Sequence, residues 1–219
     1  ENRKRRLFDQ KTFEEAIPIA EKYIKETSCR SLVIYGEKWH AGVIGIVASR
    51  LVDKFNLPSV LLTNIDGHAK GSARSINEFD VHTALKKCDD LLLEYGGHKH
   101  AAGLSLNVDK IDEFRIRFDI LATEHISQEM LTPEIIIDAE LQFNELSPNF
   151  FSTLNKFAPF GFSNHKPMFY ARNVQSQNGI KIIGNNNIRF RAIQNNFVID
   201  AIGINLAHKI NLCTNGKKF

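Results

Sequence analysis

Residues 31–62 read SLVIYGEKWHAGVIGIVASRLVDKFNLPSVLL, and this stretch decides the fold. Residues 31–35 form a short, nearly continuous apolar run, as in a strand buried on both faces, and Gly36 ends it. From His40 to Phe55 the first half is ambiguous, because VIGIVA suits a strand as well as a helix. Length arbitrates. Val43, Ile44, Val47, Ala48, Leu51, Val52 and Phe55 keep helical spacing to the end, and Asn56 and Pro58 stop the run. Val60, Leu61 and Leu62 then open a second apolar run. Strand, helix, strand within about 30 residues is a βαβ unit, with parallel strands and a right-handed crossover.

On the N-terminal side, residues 6–28 read as a helix. Leu7, Phe8, Phe13, Ala16, Ile17, Ala20 and Ile24 share one face, and Pro18 is a point where it can kink. On the C-terminal side, residues 70–76 add a strand. Asp80 caps a helix over 81–95 that Gly96 and Gly97 stop. Residues 101–106 form another strand, and Asp109 caps a helix carrying Ile111, Phe114, Phe118 and Leu121. This first domain is α/β. After Pro133 the period changes. Residues 135–137, 168–174, 180–183, 188–193 and 197–204 are short strand-like runs, punctuated by Gly, Asn (Asn185–Asn187 among them) and Gln. One helix near 148–157 interrupts them. Such a pattern suits a small barrel or sandwich, with the boundary near 127–133.

The 219 residues are 43% hydrophobic and 24% charged, which argues against wholesale disorder. No apolar run approaches the ~20 residues that span a bilayer, and no signal-peptide pattern opens the chain. Cys29, Cys88 and Cys213 are scattered, which points to a reducing, cytoplasmic setting. The net charge of +3 conceals a split. Residues 150–219 hold nine Lys and Arg against Asp200 alone, a net of +8. Residues 1–149 hold 19 against 24, a net of −5. The basic module is the one suited to a polyanion. A start at Glu1 without Met reads as a piece of something longer, and residues 213–219 need not be a native end.

Two segments stand out for chemistry. The first is Lys70-Gly71-Ser72-Ala73-Arg74-Ser75, where Gly71 and Ala73 let a ligand approach backbone N–H groups and Arg74 can grip a phosphate. The second is Tyr95-Gly96-Gly97-His98-Lys99-His100, where His98 can donate to a phosphate oxygen or shuttle a proton. An ordinary turn for the first and a helix stop with a surface histidine for the second remain open. His40 sits where the first strand hands over to a helix, a place that attracts anions; a locally bonded helix cap is the other reading. His98 and His100 have no further ligand at metal spacing, so no metal is assigned to this chain. In the C-terminal module Phe150, Phe151, Phe157, Phe160, Phe162, Phe169, Tyr170, Phe190 and Phe197 interleave with Lys156, Lys166, Arg172, Lys181, Arg189 and Arg191. Aromatics among cations suit single-strand binding on an OB-type barrel, with most of the phenylalanines expected in the core. Arg189 and Arg191 alternate on one strand and face the same side.

WHAGVIGIVASRL, GSARS, YGGHKHAAGLSL and LNKFAPFGFSNHKPMF, in that order, resemble the C-terminal half of RecJ-type single-stranded-DNA-specific exonucleases. The resemblance implies the end of a linker helix over residues 1–29, a DHH-associated α/β domain over 30–127 and an OB-fold over 133–219. It implies a 5′→3′ exonuclease whose Mn²⁺ or Mg²⁺ is held by a catalytic DHH domain outside this chain. No Asp-His-His triplet occurs here, so the chain alone is expected to be inactive. By resemblance Ser72 and Arg74 receive the 5′ phosphate of single-stranded DNA, and His98 contacts the phosphate next to the scissile bond as the catalytic residue. Gly71, Ser75, Gly97 and His40 join the substrate site, and Lys181, Arg189 and Arg191 hold the strand on the OB-fold. Ala73 stands where the family has Gly, and Phe162-Ser163-Asn164 where it has Gly-Asn-Pro, which touches contacts of that loop and not the fold. The alternatives are a stand-alone single-strand-binding module, or part of a DHH-type phosphodiesterase for short oligonucleotides. A basic OB-type extension argues against the latter. Oligomeric state is not legible.

Overall fold

The computed structural model describes residues 2–132, 134–161, 164–184, 186–213 and 218, without the side chains of Asn2, Asn178 and Cys213. Expectations that fall on Pro133, Phe162, Ser163, Asn185 and the Cys213 side chain lie outside these residues. The chain divides into two compact units, Glu1–Pro133 and Glu134–Phe219.

The first unit is built on a five-stranded sheet in the order β1-β2-β3-β5-β4. Strand β1 (Leu32–Tyr35) pairs parallel with β2 (Ser59–Ile65) through helix α2 (Ala41–Phe55), the expected βαβ unit. Strands β3 (His68–Arg74), β5 (Ala101–Asn107) and β4 (Leu92–His98) continue the sheet antiparallel. The apolar run of the first two strands is continuous because each face buries its own half. Leu32, Ile34 and Leu61 meet helix α1 (Asn2–Thr27) and α2 through Ala16, Ala20, Val47 and Leu51. Val33, Val60 and Leu62 meet the other face, where α3 (Val81–Lys86) and α4 (Ile111–His125) bring Val81, Leu85, Phe114 and Phe118. The Asp119 carboxylate ties α4 to the start of β1, accepting from the Arg30 and Ser31 N–H groups at 2.8 Å and from the Ser31 hydroxyl at 2.9 Å. Cys29 and Cys88 are buried free thiols, and burial pushes Cys88 up to about 11, so both serve packing.

Two local expectations fail here. The helix over 81–95 stops at Lys86; a 3₁₀ turn over Asp89–Leu91 follows, and 92–98 become strand β4. Asp80 does cap α3, its carboxylate accepting from the Thr83 N–H at 3.0 Å. The helical spacing of Leu91, Leu92 and Tyr95 is real, but an unpaired edge on β5 leaves a row of donors and acceptors that β4 satisfies. Gly96 and Gly97 lie inside that strand and stop no helix. Asp109 caps nothing with its side chain; it sits in a 3₁₀ turn, Val108–Lys110, that runs directly into α4.

The second unit holds a three-stranded antiparallel meander, β8 (Gln175–Ile183), β9 (Asn187–Gln194) and β10 (Phe197–Gly203). A separate parallel pair joins β6 (Ala139–Glu140) and β7 (Phe169–Tyr170), and helix α5 (Pro148–Asn155) lies between them in sequence. Among the described residues these strands close no barrel. Its small core holds Phe143, Val174 and Ala192. The buried Gln194 cross-links it, accepting from the Phe143 N–H at 2.8 Å and donating to the Arg172 carbonyl at 2.7 Å. Ile135, Ile136 and Ile137 form no strand and are 46–80% exposed. Of the described phenylalanines expected in the core, none is fully buried, and Phe190 packs against its edge. Phe150, Phe160, Phe169 and Phe190 are half-buried, and Phe151, Phe157 and Phe197 are exposed. Among the described residues no helix is long and apolar enough to cross a membrane.

Candidate nucleic-acid interface

Strand alternation sorts the residues of the first unit. Ala69, Gly71 and Ala73 of β3 face the core beneath α3 and α4, whereas Lys70, Ser72 and Arg74 face the side that carries α2. Gly71 is therefore a packing glycine, because a Cβ there would lie 2.5 Å from Leu62 Cδ2 and 2.9 Å from Leu104 Cδ2. Ser75 is spent on the fold as well. Its hydroxyl donates to the Phe79 carbonyl at 2.7 Å, and its N–H to the His100 carbonyl at 3.1 Å.

Ser72 and Arg74 come together on the other face. Arg74 Nη1 donates to Ser72 Oγ at 2.9 Å and to the Ala73 carbonyl at 2.8 Å. The guanidinium is half-buried, and burial lowers its pKa below the usual arginine value while leaving it charged. Among the described residues no carboxylate lies within ion-pair distance of it. A part-desolvated cation without a counter-charge attracts an anion. Sequence reasoning missed the residue that makes room for this pair. Gly45 of α2 faces it, and a Cβ there would sit 2.9 Å from both Arg74 Nη2 and Ser72 Oγ. The available signal was a glycine inside an apolar helix, where it costs up to about 1 kcal/mol relative to alanine.

His98 shares the register row of Arg74, with Ala101 between them. Two strand spacings of about 4.8 Å separate the outer backbones. His98 is exposed, and its Nδ1 accepts the His100 N–H at 3.3 Å, which leaves the ring hydrogen on Nε2 as a donor. Gly97 sets this geometry through its backbone. Its φ is +146°, and a Cβ would fall 2.4 Å from the Ala101 carbonyl oxygen and 2.5 Å from Ala102 Cα. His40 takes the local reading: it is the N-cap of α2, its Nδ1 accepts the Gly42 N–H at 3.0 Å, and its ring stacks on Phe8 at 5.1 Å. Among the described residues no group of three or more His, Cys, Asp or Glu is placed to hold a metal ion.

In the second unit Arg189 and Arg191 do point to one side of β9, opposite the buried Ile188 and Ala192. Lys181 stands beside Arg189 in register, and Gln177 beside Arg191. These four, with Gly179, Phe190 and Asp200, line a groove of about 290 Å³. Asp200 pairs with Arg189 Nη2 at 3.3 Å.

Two family models match, the DHHA1 domain over residues 28–123 and the RecJ OB domain over residues 137–219. The chain is 32% identical to a single-stranded-DNA-specific exonuclease RecJ of Bacillus subtilis (strain 168) over 93% of its own length and 26% of that protein. It is 36% identical to the RecJ of Salmonella typhimurium over 78% of its length and 31% of that protein. A crystal structure of RecJ in complex with Mn²⁺ from Thermus thermophilus is similar at a TM-score of 0.71 and 27% identity, covering 87% of this chain and 27% of that one. The chain thus spans about a quarter to a third of the length of these relatives. It is a DHHA1 domain followed by a RecJ OB domain, and over the part that it spans it belongs to the RecJ family.

Proposed function

We propose that this chain is the substrate-binding, C-terminal part of a 5′→3′ single-stranded-DNA-specific exonuclease. The observation that carries the reading is Arg74, a half-buried guanidinium bonded to Ser72 and lacking a carboxylate partner among the described residues. In this reading Ser72 and Arg74 seat the 5′ phosphate. His98 contacts a phosphate of the same strand near the scissile bond through Nε2. Lys181, Arg189 and Arg191 hold the sugar-phosphate backbone of the single strand, with the exposed Phe151, Phe157 and Phe197 available for base stacking. Gly71, Gly97, Ser75 and His40 support the site by packing, backbone geometry and capping. Mn²⁺ or Mg²⁺ would be held by a DHH domain outside this chain, which hydrolyses the phosphodiester; the chain alone cuts nothing. The setting is cytoplasmic, and the domains run over residues 30–127 and 133–219, after the end of a linker helix over 1–29.

The chain is expected to bind single-stranded DNA with an affinity that falls steeply with salt, to prefer a 5′-phosphorylated over a 5′-hydroxyl end, and to digest neither when Mn²⁺ is added. Fluorescence anisotropy with both oligonucleotides at two salt concentrations, and a gel-based nuclease assay, test this. Robust digestion by the clean chain, or salt-independent binding blind to the end group, overturns it.

Asp200 is the only acidic residue of positions 150–219, and it holds Arg189. Asp200→Asn should free that arginine and remove the one opposing charge. Exposed pairs of this kind are worth ~0.2–1 kcal/mol. Single-strand affinity at low salt should therefore rise about threefold, with a steeper salt dependence. An unchanged affinity would exclude β9 from the strand path.

A further inference from the structure

Two glycines on the open part of the first sheet have no structural reason to be glycine. Gly96 of β4 and Gly103 of β5 are register partners, both are exposed, and neither has a φ in the left-handed region. A Cβ at Gly96 would meet nothing within 4 Å, and one at Gly103 only the Gly71 carbonyl oxygen at 3.9 Å. Glycine inside a strand destabilises it relative to alanine, through its greater backbone freedom in the unfolded chain. The fold would gain from side chains here, and their absence keeps a flat, open strip beside Ser72, the next residue in the same row.

A second observation, independent of the glycines, points into the same place. Ser105 is 8% exposed and shares the face of Gly103, since Leu104 and Leu106 turn to the core. With Lys70, Glu94, Gly96 and Gly103 it lines a groove of about 430 Å³, a volume within the range of small-molecule sites. Its hydroxyl makes no hydrogen bond to another described residue and is not one of the buried orphaned polar atoms, so it opens on this groove and is free to bond a ligand there. Register places Lys70, Ser105 and Glu94 in one row, Ser72, Gly103 and Gly96 in the next, and Arg74, Ala101 and His98 in the third.

We propose that this groove seats the nucleoside of the 5′-terminal nucleotide: the base lies flat over Gly103 and Gly96 and takes a hydrogen bond from, or gives one to, Ser105. This rests on the reading of Ser72 and Arg74 as the phosphate seat. A nucleoside fits where a second phosphate does not. Lys70 and Glu94 flank Ser105 with opposite charges, so the outer row is neutral overall and Glu94 repels an anion. The strip is backbone, and every base offers a flat face to it, so the site accepts any base.

The test uses the full 219-residue chain and a 5′-phosphorylated oligothymidylate, intact or lacking only its first base. With its terminal base seated, the intact strand should bind about tenfold more tightly. Gly103→Val and Gly96→Val should each remove that difference without lowering the thermal unfolding midpoint, and Ser105→Ala should reduce it about threefold. Both valine variants should keep the preference for a 5′ phosphate. Equal binding of the two strands by the unmodified chain, or a difference that survives both valines, overturns the proposal. Loss of end preference with a base difference that the valines still erase sustains the nucleoside seat and refutes the phosphate seat instead.

Discussion

Arg74→Ala should cost the chain its preference for 5′-phosphorylated single strands, with affinity for the phosphorylated end falling about 30- to 100-fold and affinity for the 5′-hydroxyl end changing little. The size follows from charge-assisted hydrogen bonds to a phosphate in a part-desolvated site, worth about 2–3 kcal/mol. The selectivity follows from position. Arg74 is held through Nη1 by Ser72 Oγ and the Ala73 carbonyl on a sheet strand, with Gly45 opposite, which leaves Nη2 and Nε without a partner among the described residues. Arg74→Lys should recover only part of the loss, because an ammonium keeps the charge and lacks the planar fork. Arg189→Ala should weaken both ends alike, as expected of a backbone contact that does not read the terminus. Anisotropy titrations of the variants against both oligonucleotides decide the matter. Equal effects of Arg74→Ala and Arg189→Ala on both end types would refute this division of labour.

Gly97→Ala should be the most destabilising single substitution in the β4–β5 edge, by about 3 kcal/mol or more. Two costs combine. A φ of +146° is glycine territory, and holding another residue there costs about 1–3 kcal/mol. The new Cβ would also overlap the Ala101 carbonyl oxygen at 2.4 Å and Ala102 Cα at 2.5 Å, both backbone of the paired strand, which cannot turn aside as a side chain can. Thermal unfolding should fall by about 6–12 °C, given roughly 2–4 °C per kcal/mol for chains of about 150–250 residues. The comparison is Gly96→Ala, one residue away, where a Cβ meets nothing within 4 Å and stability should hold or rise. If Gly97→Ala unfolds with the unmodified chain, the pairing that presents His98 is not the one described.

Pattern along the chain was sufficient where burial and periodicity agree. The apolar runs at β1 and β2 and the helical spacing of α2 each name one conformation, and the parallel pairing follows from the length between them. For Ser72 and Arg74 the sequence offered residue types and a family resemblance, and the strand that sets them on one side is a matter of structure. The alternation of Arg189 and Arg191 around Phe190 was legible from the strand period.

Where a segment's conformation is set by what pairs or packs against it, local pattern chose wrongly or stayed silent. Leu91, Leu92 and Tyr95 suit a helix, yet β5 needed an edge partner, and those hydrogen bonds took residues 92–98 into the sheet. The same pairing turned Gly97 from a helix stop into a tight backbone contact and put His98 in the row of Arg74. His40 had two readings of equal standing, and only the bond from Gly42 and the ring of Phe8, from another helix, chose the cap. Gly45, Ser105, Gly96 and Gly103 acquire meaning from neighbours that no spacing rule connects: two side chains on β3, an empty groove, and open space above a sheet. The residue types of a binding site are local properties of the chain, but desolvation, counter-charge and free volume depend on what packs beside them, and that is set only when the strands and helices meet.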